Sequence, residues 1–192
     1  MRVSREKAAE HRERIIEAAS ALFRVKGFDG IGVADIMKAA DLTHGGFYGH
    51  FSSKDDLVTQ SNKRTMTRAA ENWSKITASD PKEPFRALLH HYLSSRHRDD
   101  PGHGCGFAAL GNDVARSSKV VRKAFAEGLE PSLAILAEAI SGKSKTVRRR
   151  KALTAMAALV GALMLARAAE GTALSDEMLD AVHRELLGII EG

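Results

Sequence analysis

Apolar residues recur at helical spacing along most of this chain. Ile15, Ile16, Ala19, Leu22 and Phe23 share one face of a segment predicted to be helical from Ser4 to Lys26. Gly27 supplies its C-terminal cap, with Phe28 as the apolar residue beyond. Val33, Ile36, Met37 and Ala40 predict a short second helix, Val33 to Ala40, followed by a turn at Asp41-Leu42. Thr43 then suits the N-cap of a third helix, His44 to His50. Ser52 and Ser53 each open an S-x-x-D pattern and predict the capped start of a fourth helix running to about Ile76. Asp80-Pro81-Lys82-Glu83 predicts the start of a fifth, extending to about Arg96. After a glycine-rich loop, Asp99 to Gly106, further helices fit Phe107–Arg116, Val120–Ile140, Thr146–Glu170 and Asp176–Glu191, with Pro131 expected to kink or split the second of these. No stretch alternates long enough to be a strand. The expected fold is all-α with about nine helices: a three-helix N-terminal domain over residues 1–52 and a helical body over 53–192.

Within the N-terminal part, a short amphipathic helix, a tight polar turn and a glycine-rich helix follow one another between Val33 and Leu57. That order is a helix-turn-helix, which sets its second helix into the major groove of DNA. Phe47 and Phe51 are four apart and face inward with Leu42, while Gly45, Tyr48 and Gly49 fall on the opposite side. Gly45, Gly46 and Gly49 each cost about 0.5–1 kcal/mol against alanine, so packing on the preceding helices must hold this one. Glycine on an outer face lets another molecule approach the backbone, and a helix N-terminus favours phosphate. Thr43 and Tyr48 can donate hydroxyl hydrogen bonds to phosphate, Lys54 adds a charge just beyond, His44 can reach a base edge, and the glycines leave room for thymine methyls. The bland alternative makes Tyr48 and His50 ordinary residues of a helical corner.

Composition changes this picture little. The net charge of +5 does not come from the N-terminal part, where nine basic and nine acidic residues between positions 1 and 60 cancel. The densest basic run is Lys143 to Lys151, so the arrangement of residues, not overall basicity, carries the nucleic-acid reading. A single cysteine excludes an internal disulfide and fits a reducing cytoplasm. The charged N-terminus is unlike a signal peptide. The most apolar run, Ala152 to Ala166, has 15 residues where a bilayer span needs about 20, and reads as a buried or interface helix with no membrane partner.

Taken together, Ile15-Ile16-Glu17-Ala18-Ala19, Leu22-Phe23, Gly27-Phe28, Asp35-Ile36, Ala39-Ala40, Gly45, Tyr48, His50-Phe51 and Lys54 with Leu57 resemble the TetR family of bacterial transcriptional regulators over about residues 10–60. The resemblance implies an all-α homodimer with a DNA-binding domain and a larger ligand-binding domain. It also implies phosphate contacts by Thr43, Tyr48 and Lys54 and base contacts by His44 and Gly45, with Gly46, Gly49 and His50 on the same segment. The chain departs from the family at Gly32, usually threonine, at Asp41, usually the turn glycine, and at Met37, usually a small alanine. Asp tolerates left-handed geometry better than most residues.

In the body, Cys105 lies among Gly102, Gly104 and Gly106 beside His103. The glycines would leave the sulfur accessible, and a histidine can stabilise a thiolate. Gly104-Cys105 followed by Leu110-Gly111-Asn112-Asp113 resembles a subgroup of the same family, some of whose members sense electrophiles or oxidants through this cysteine. The alternative is a small residue packing a helix start. His90, His91, His97 and His103 with Cys105 match no ligand template, so neither metal nor cofactor is expected. Trp73, Phe85, Leu89, Tyr92, Phe107 and Phe125, the large residues on the body's helices, are the candidate effector pocket. A stripe of Ala155, Ala158, Ala162 and Leu165, and another of Leu179, Val182, Leu186 and Ile189-Ile190, make the last two helices the expected homodimer interface. The expected protein is a cytoplasmic repressor that binds palindromic operator DNA as a homodimer and is released by a small-molecule effector. Two alternatives stay open: a Cys105-based electrophile, oxidant or metal sensor on the same scaffold, and a small helical enzyme using Cys105 and His103 as nucleophile and base.

Overall fold

In the computed structural model, which describes residues 5–191, the chain forms α1 (Arg5–Lys26), α2 (Val33–Ala39), a 3-10 turn (His44–Gly49), α3 (Lys54–Ser79), α4 (Pro84–Tyr92), α5 (Ser95–Asp99), α6 (Gly106–Arg116), α7 (Lys119–Ala139), α8 (Lys145–Ala168) and α9 (Ala173–Glu191). Ser4, where the first helix was expected to start, and the side chains of Ile189 and Ile190 lie outside the described residues. No strand occurs among the described residues, in keeping with the all-α expectation. The long α3 is the spine: α1 packs on its first half, α4 on its second, and α7 along it. α8 then lies between α7 and α9.

Two cores result. One joins Ile15, Ile16, Ala19 and Phe23 of α1 to Ile36 and Met37 of α2 and to Phe47 and Phe51, and it is closed by Leu57 and Val58 of α3, Leu110 and Val114 of α6, and Val121 of α7. The other gathers Trp73, Phe85, Leu88, Leu89, Tyr92 and Phe107 with the inner faces of α7, α8 and α9. Phe125 touches both. By length and composition alone α8 could cross a membrane. Here its Ala152, Ala155, Leu159, Leu163 and Ala166 are buried within the bundle.

Local chemistry explains where the elements begin and end. Ser53 accepts from the Asp56 N–H, and the Asp56 carboxylate accepts in return from the Ser52 N–H and hydroxyl, which fixes the start of α3. Gly27 takes the left-handed conformation (φ 72°) that ends α1, with its N–H on the Phe23 carbonyl. The fifth helix differs from expectation at both ends. The Asp80 carboxylate accepts from the N–H groups of Lys82 and Glu83, making a turn rather than a helix start. Pro84 disfavours helical geometry at Glu83 and occupies the first helical position itself. The helix then breaks at Leu93, and Ser94 caps the separate α5 by accepting from the His97 N–H. α7 runs unsplit through Pro131, which sits on the exposed face of the helix.

Candidate nucleic-acid interface

The turn between α2 and the 3-10 segment is built by backbone geometry that few residues accept. Asp41 has φ 53°, the left-handed conformation anticipated for a residue standing where glycine is usual. Its carboxylate pairs with Arg14 of α1 at 3.0 Å, and Arg14 also donates to the Ala40 carbonyl, so α1 holds the turn from behind. The Leu42 N–H closes on the Met37 carbonyl. Met37 is fully buried, and its Cε lies 3.7 Å from where a Cβ on Gly46 would stand. That is ordinary van der Waals distance, so the larger residue packs against the Gly46 backbone without crowding it.

The segment expected as an α-helix from His44 to His50 is a 3-10 turn over His44–Gly49, with the Gly46 N–H on Thr43 and the His50 N–H on Phe47. Three glycines in six residues remove the side-chain contacts that would favour the wider α-helix, and a short 3-10 piece suffices to orient the side chains. Thr43 holds the N-cap position with extended backbone, yet its hydroxyl makes no capping bond. Phe47 and Phe51 are buried and stack at 5.6 Å between centroids. Tyr48 meets the Phe47 edge at 5.2 Å and is 75% exposed. Nothing lies within 4 Å of a Cβ built on Gly45 or Gly49. Thr43, His44, Gly45, Tyr48 and Gly49 therefore form one open face. Lys54, half-buried, begins α3 just beyond it. His50 is also half-buried, its ring 6.2 Å from His11, and burial above all, with His11 and Arg12 nearby, pushes its pKa down. Gly32, at the N-cap of α2, provides no side-chain cap.

This face is tied to the body by contacts that sequence reading did not find. Along α1 and α3, Arg68 pairs with Glu17 at 2.6 Å, Arg64 with Glu13, and Arg12 with Gln60. Arg24 donates to Thr65 Oγ1 at 3.0 Å and to the Gly102 carbonyl. On α6, the Asp113 carboxylate accepts from the Phe28 N–H and lies 2.7 Å from where a Cβ on Gly27 would stand, which with φ 72° favours glycine there. These pairs join residues more than forty positions apart and leave no local signature.

The region of Cys105 corrects one expectation. The cysteine is buried, not accessible, and burial pushes its thiol pKa up, with the Tyr92 hydroxyl and nearby backbone N–H groups pulling less strongly the other way. The glycines around it serve close packing: Gly106 has no room against Thr65, and Gly104 none against Arg167 and the Asp100 carbonyl. The histidine bonded to this segment is His97. Its Nδ1 lies 2.8 Å from the Tyr92 carbonyl, and its Nε2 accepts from the Cys105 N–H at 3.0 Å. His103 is exposed and pairs with Asp100. No group of three or more potential metal ligands is brought together among the described residues.

Both ring nitrogens of His97 are committed in the neutral form, Nδ1–H donating and Nε2 accepting. Burial lowers its pKa most, the Tyr92 carbonyl opposes that next, and Arg167 and His91 lower it further against a smaller effect of Asp100. The unfolded chain then binds the proton more readily, so stability is present above about pH 6.5 and lost as the pH falls toward the folded value. His50, His91 and His183 are shifted the same way, each mainly by burial. Urea denaturation between pH 7.5 and 5.5 should show falling stability, with a shallower slope for His97→Gln. An equal slope in the variant would assign the effect elsewhere.

The six large residues of the expected pocket fill the body core rather than enclosing one shared space. Trp73 meets Tyr92 at 5.7 Å and Phe107 at 6.5 Å, Phe107 meets Phe125 at 5.8 Å, and Phe85 and Leu89 are buried. Trp73 and Tyr92 do line a cleft of about 360 Å³ together with Arg24, Arg68, His97 and Cys105. Phe85 borders a separate groove of about 620 Å³ beside Arg86 and Arg148. Ala155 and Ala162 face the protomer's own core, as do Leu179 and Leu186, because α8 packs between α7 and α9. The outward apolar residues on these two helices are Leu153, Met164, Leu165 and Leu174, each about half exposed.

Known proteins align with this architecture. Residues 15–60 match the bacterial regulatory proteins of the tetR family. The chain is 31% identical over 97 residues to the HTH-type transcriptional regulator AcrR of Shigella flexneri, covering 49% of this chain and 45% of that protein. It is 41% identical over 95 residues to the HTH-type transcriptional regulator TtgR of Pseudomonas putida, covering 46% and 44%. These alignments span about half the length of the curated relatives. The crystal structure of reduced Escherichia coli NemR superposes with a TM-score of 0.78 at 22% identity, covering 94% of this chain and 97% of that one. That protein is described as a transcriptional repressor.

Proposed function

We propose that the chain, whose residues 15–60 match the tetR family of bacterial regulatory proteins, is a regulator of that family and a cytoplasmic transcriptional repressor, not an enzyme. Residues 1–52 serve as the DNA-binding unit and 53–192 as the effector-binding and dimerising unit. The observation that carries the reading is the open face of Thr43, His44, Gly45, Tyr48 and Gly49, stiffened from behind by Phe47 and Phe51. Thr43, Tyr48 and Lys54 contact phosphates, and His44 and Gly45 approach base edges, with Gly46, Gly49 and His50 completing the segment. A homodimer through α8 and α9, using their outward Leu153, Met164, Leu165 and Leu174, sets two such faces on successive major grooves about 34 Å apart. Selection from a random duplex pool should enrich an inverted repeat. Tyr48→Ala should weaken binding about tenfold on every sequence alike without moving the melting temperature. Failure to enrich any duplex would overturn the reading.

A thiol-sensing variant of this function has one observation in its favour: Cys105 lines the cleft that reaches α1. Burial of the sulfur works against it. Cys105→Ser should leave operator binding intact, and should abolish release by electrophiles only if the thiol is the sensor.

A further inference from the structure

The cleft of about 360 Å³ lies where the DNA-binding unit meets the body, between α1, the middle of α3, the end of α4 and the loop before α6. Its size is that of a small-molecule site. Its charged lining is two arginines, Arg24 and Arg68, against one acid, Glu17, with His91, His97 and His103 beside them. The half-buried Arg24 guanidinium is held by a backbone carbonyl and a threonine hydroxyl, with no carboxylate among those hydrogen bonds. Arg167 approaches from α8 against Gly104, and its hydrogen bonds too go to backbone carbonyls, of His97 and Arg98. Burial pushes both arginines below their ordinary pKa, with Glu17 and Asp100 opposing it at Arg24 and Asp100 and Asp99 among the groups opposing it at Arg167. Trp73 and Tyr92 border the cleft, both nearly fully buried, with the Tyr92 hydroxyl against the Cys105 thiol.

We propose that this cleft binds a small aromatic carboxylate and that the ligand acts by taking Arg68 from Glu17. This rests on the regulator reading for its consequence, though not for the binding itself. The ligand's ring takes the Trp73 side of the cleft, and its carboxylate accepts from Arg68 and Arg24, a charge-assisted arrangement. The Arg68–Glu17 pair is half exposed on both sides, and such pairs contribute about 0–1 kcal/mol, so a bidentate ligand can displace it. Losing that pair loosens α1 from α3. DNA affinity falls to the extent that the ligand favours the loosened arrangement.

Trp73 is the chain's only tryptophan, so its fluorescence reads the cleft without DNA present. Titration of the full chain with benzoate, at constant ionic strength, should give a saturable change. Benzamide, the neutral isostere, and inorganic phosphate, an anion without a ring, should give none. Arg68→Gln and Arg24→Gln should each weaken the benzoate response about tenfold or more. An equal response to benzamide or phosphate, survival of the benzoate response in both variants, or no saturable response up to about 10 mM would overturn the proposal. A separate anisotropy measurement on the selected duplex should show benzoate weakening DNA binding by wild type and not by Arg68→Gln. Because the fluorescence arm needs no DNA, failure of the regulator reading leaves the ligand result intact.

Discussion

Phe47→Ala should cost about 3–5 kcal/mol of stability, the range for removing a buried aromatic ring from a core. Phe47 is 1% exposed and sits in the middle of the recognition segment, stacked on Phe51 and met edge-on by Tyr48. The six residues of the 3-10 turn cannot hold themselves: three are glycine, and the hydrogen bonds that order them run only to the next turn. Phe47 is what anchors them to α1 and α2. Domains are stable by about 5–15 kcal/mol, so a loss of this size leaves little margin and removes the geometry of the outer face. Urea denaturation followed by circular dichroism should show the shift. A cost below about 1 kcal/mol would mean that the turn is held by something other than this ring.

Gly45→Ala should do the reverse. No atom lies within 4 Å of the added Cβ, and Gly45 is not among the residues with positive φ. The fold therefore gains up to about 1 kcal/mol by losing a glycine from a helical turn. Yet the methyl stands on the face offered to a duplex, where the backbone must come close. Affinity for the selected operator should fall about tenfold or more while the melting temperature holds or rises. A variant that is stabilised and binds DNA undiminished would remove Gly45 from the contact surface. Measuring both quantities on one protein separates folding from recognition, which Phe47→Ala alone cannot do.

The parts of the fold legible in the sequence were those fixed by local chemistry. The four-residue interval between Phe47 and Phe51 placed them on the inner face, Gly27 marked the end of α1, Asp41 took the left-handed turn, and Ser53 capped α3. Local signals misled where two competed. Asp80-Pro81 had every mark of a helix start, but Asp80 closed a turn and Pro84 took the first helical position. Small residues at Ala155 and Ala162 looked like a surface for a second copy, and they pack the protomer's own helices instead. The glycines near Cys105 suggested an open thiol, but glycine equally permits close packing, and burial decided it. The cationic cleft was invisible because it depends on pairs such as Arg68–Glu17 and Arg24–Thr65, which only tertiary structure brings together.

The central claim is that the face around Tyr48 meets the duplex, not the basic run Lys143–Lys151 at the start of α8. Hydrogen–deuterium exchange of the full chain, with and without the selected duplex, tests this most directly. The account predicts slowed exchange over residues 43–54 and no change at 143–151. Protection at 143–151 with 43–54 unaltered would contradict it.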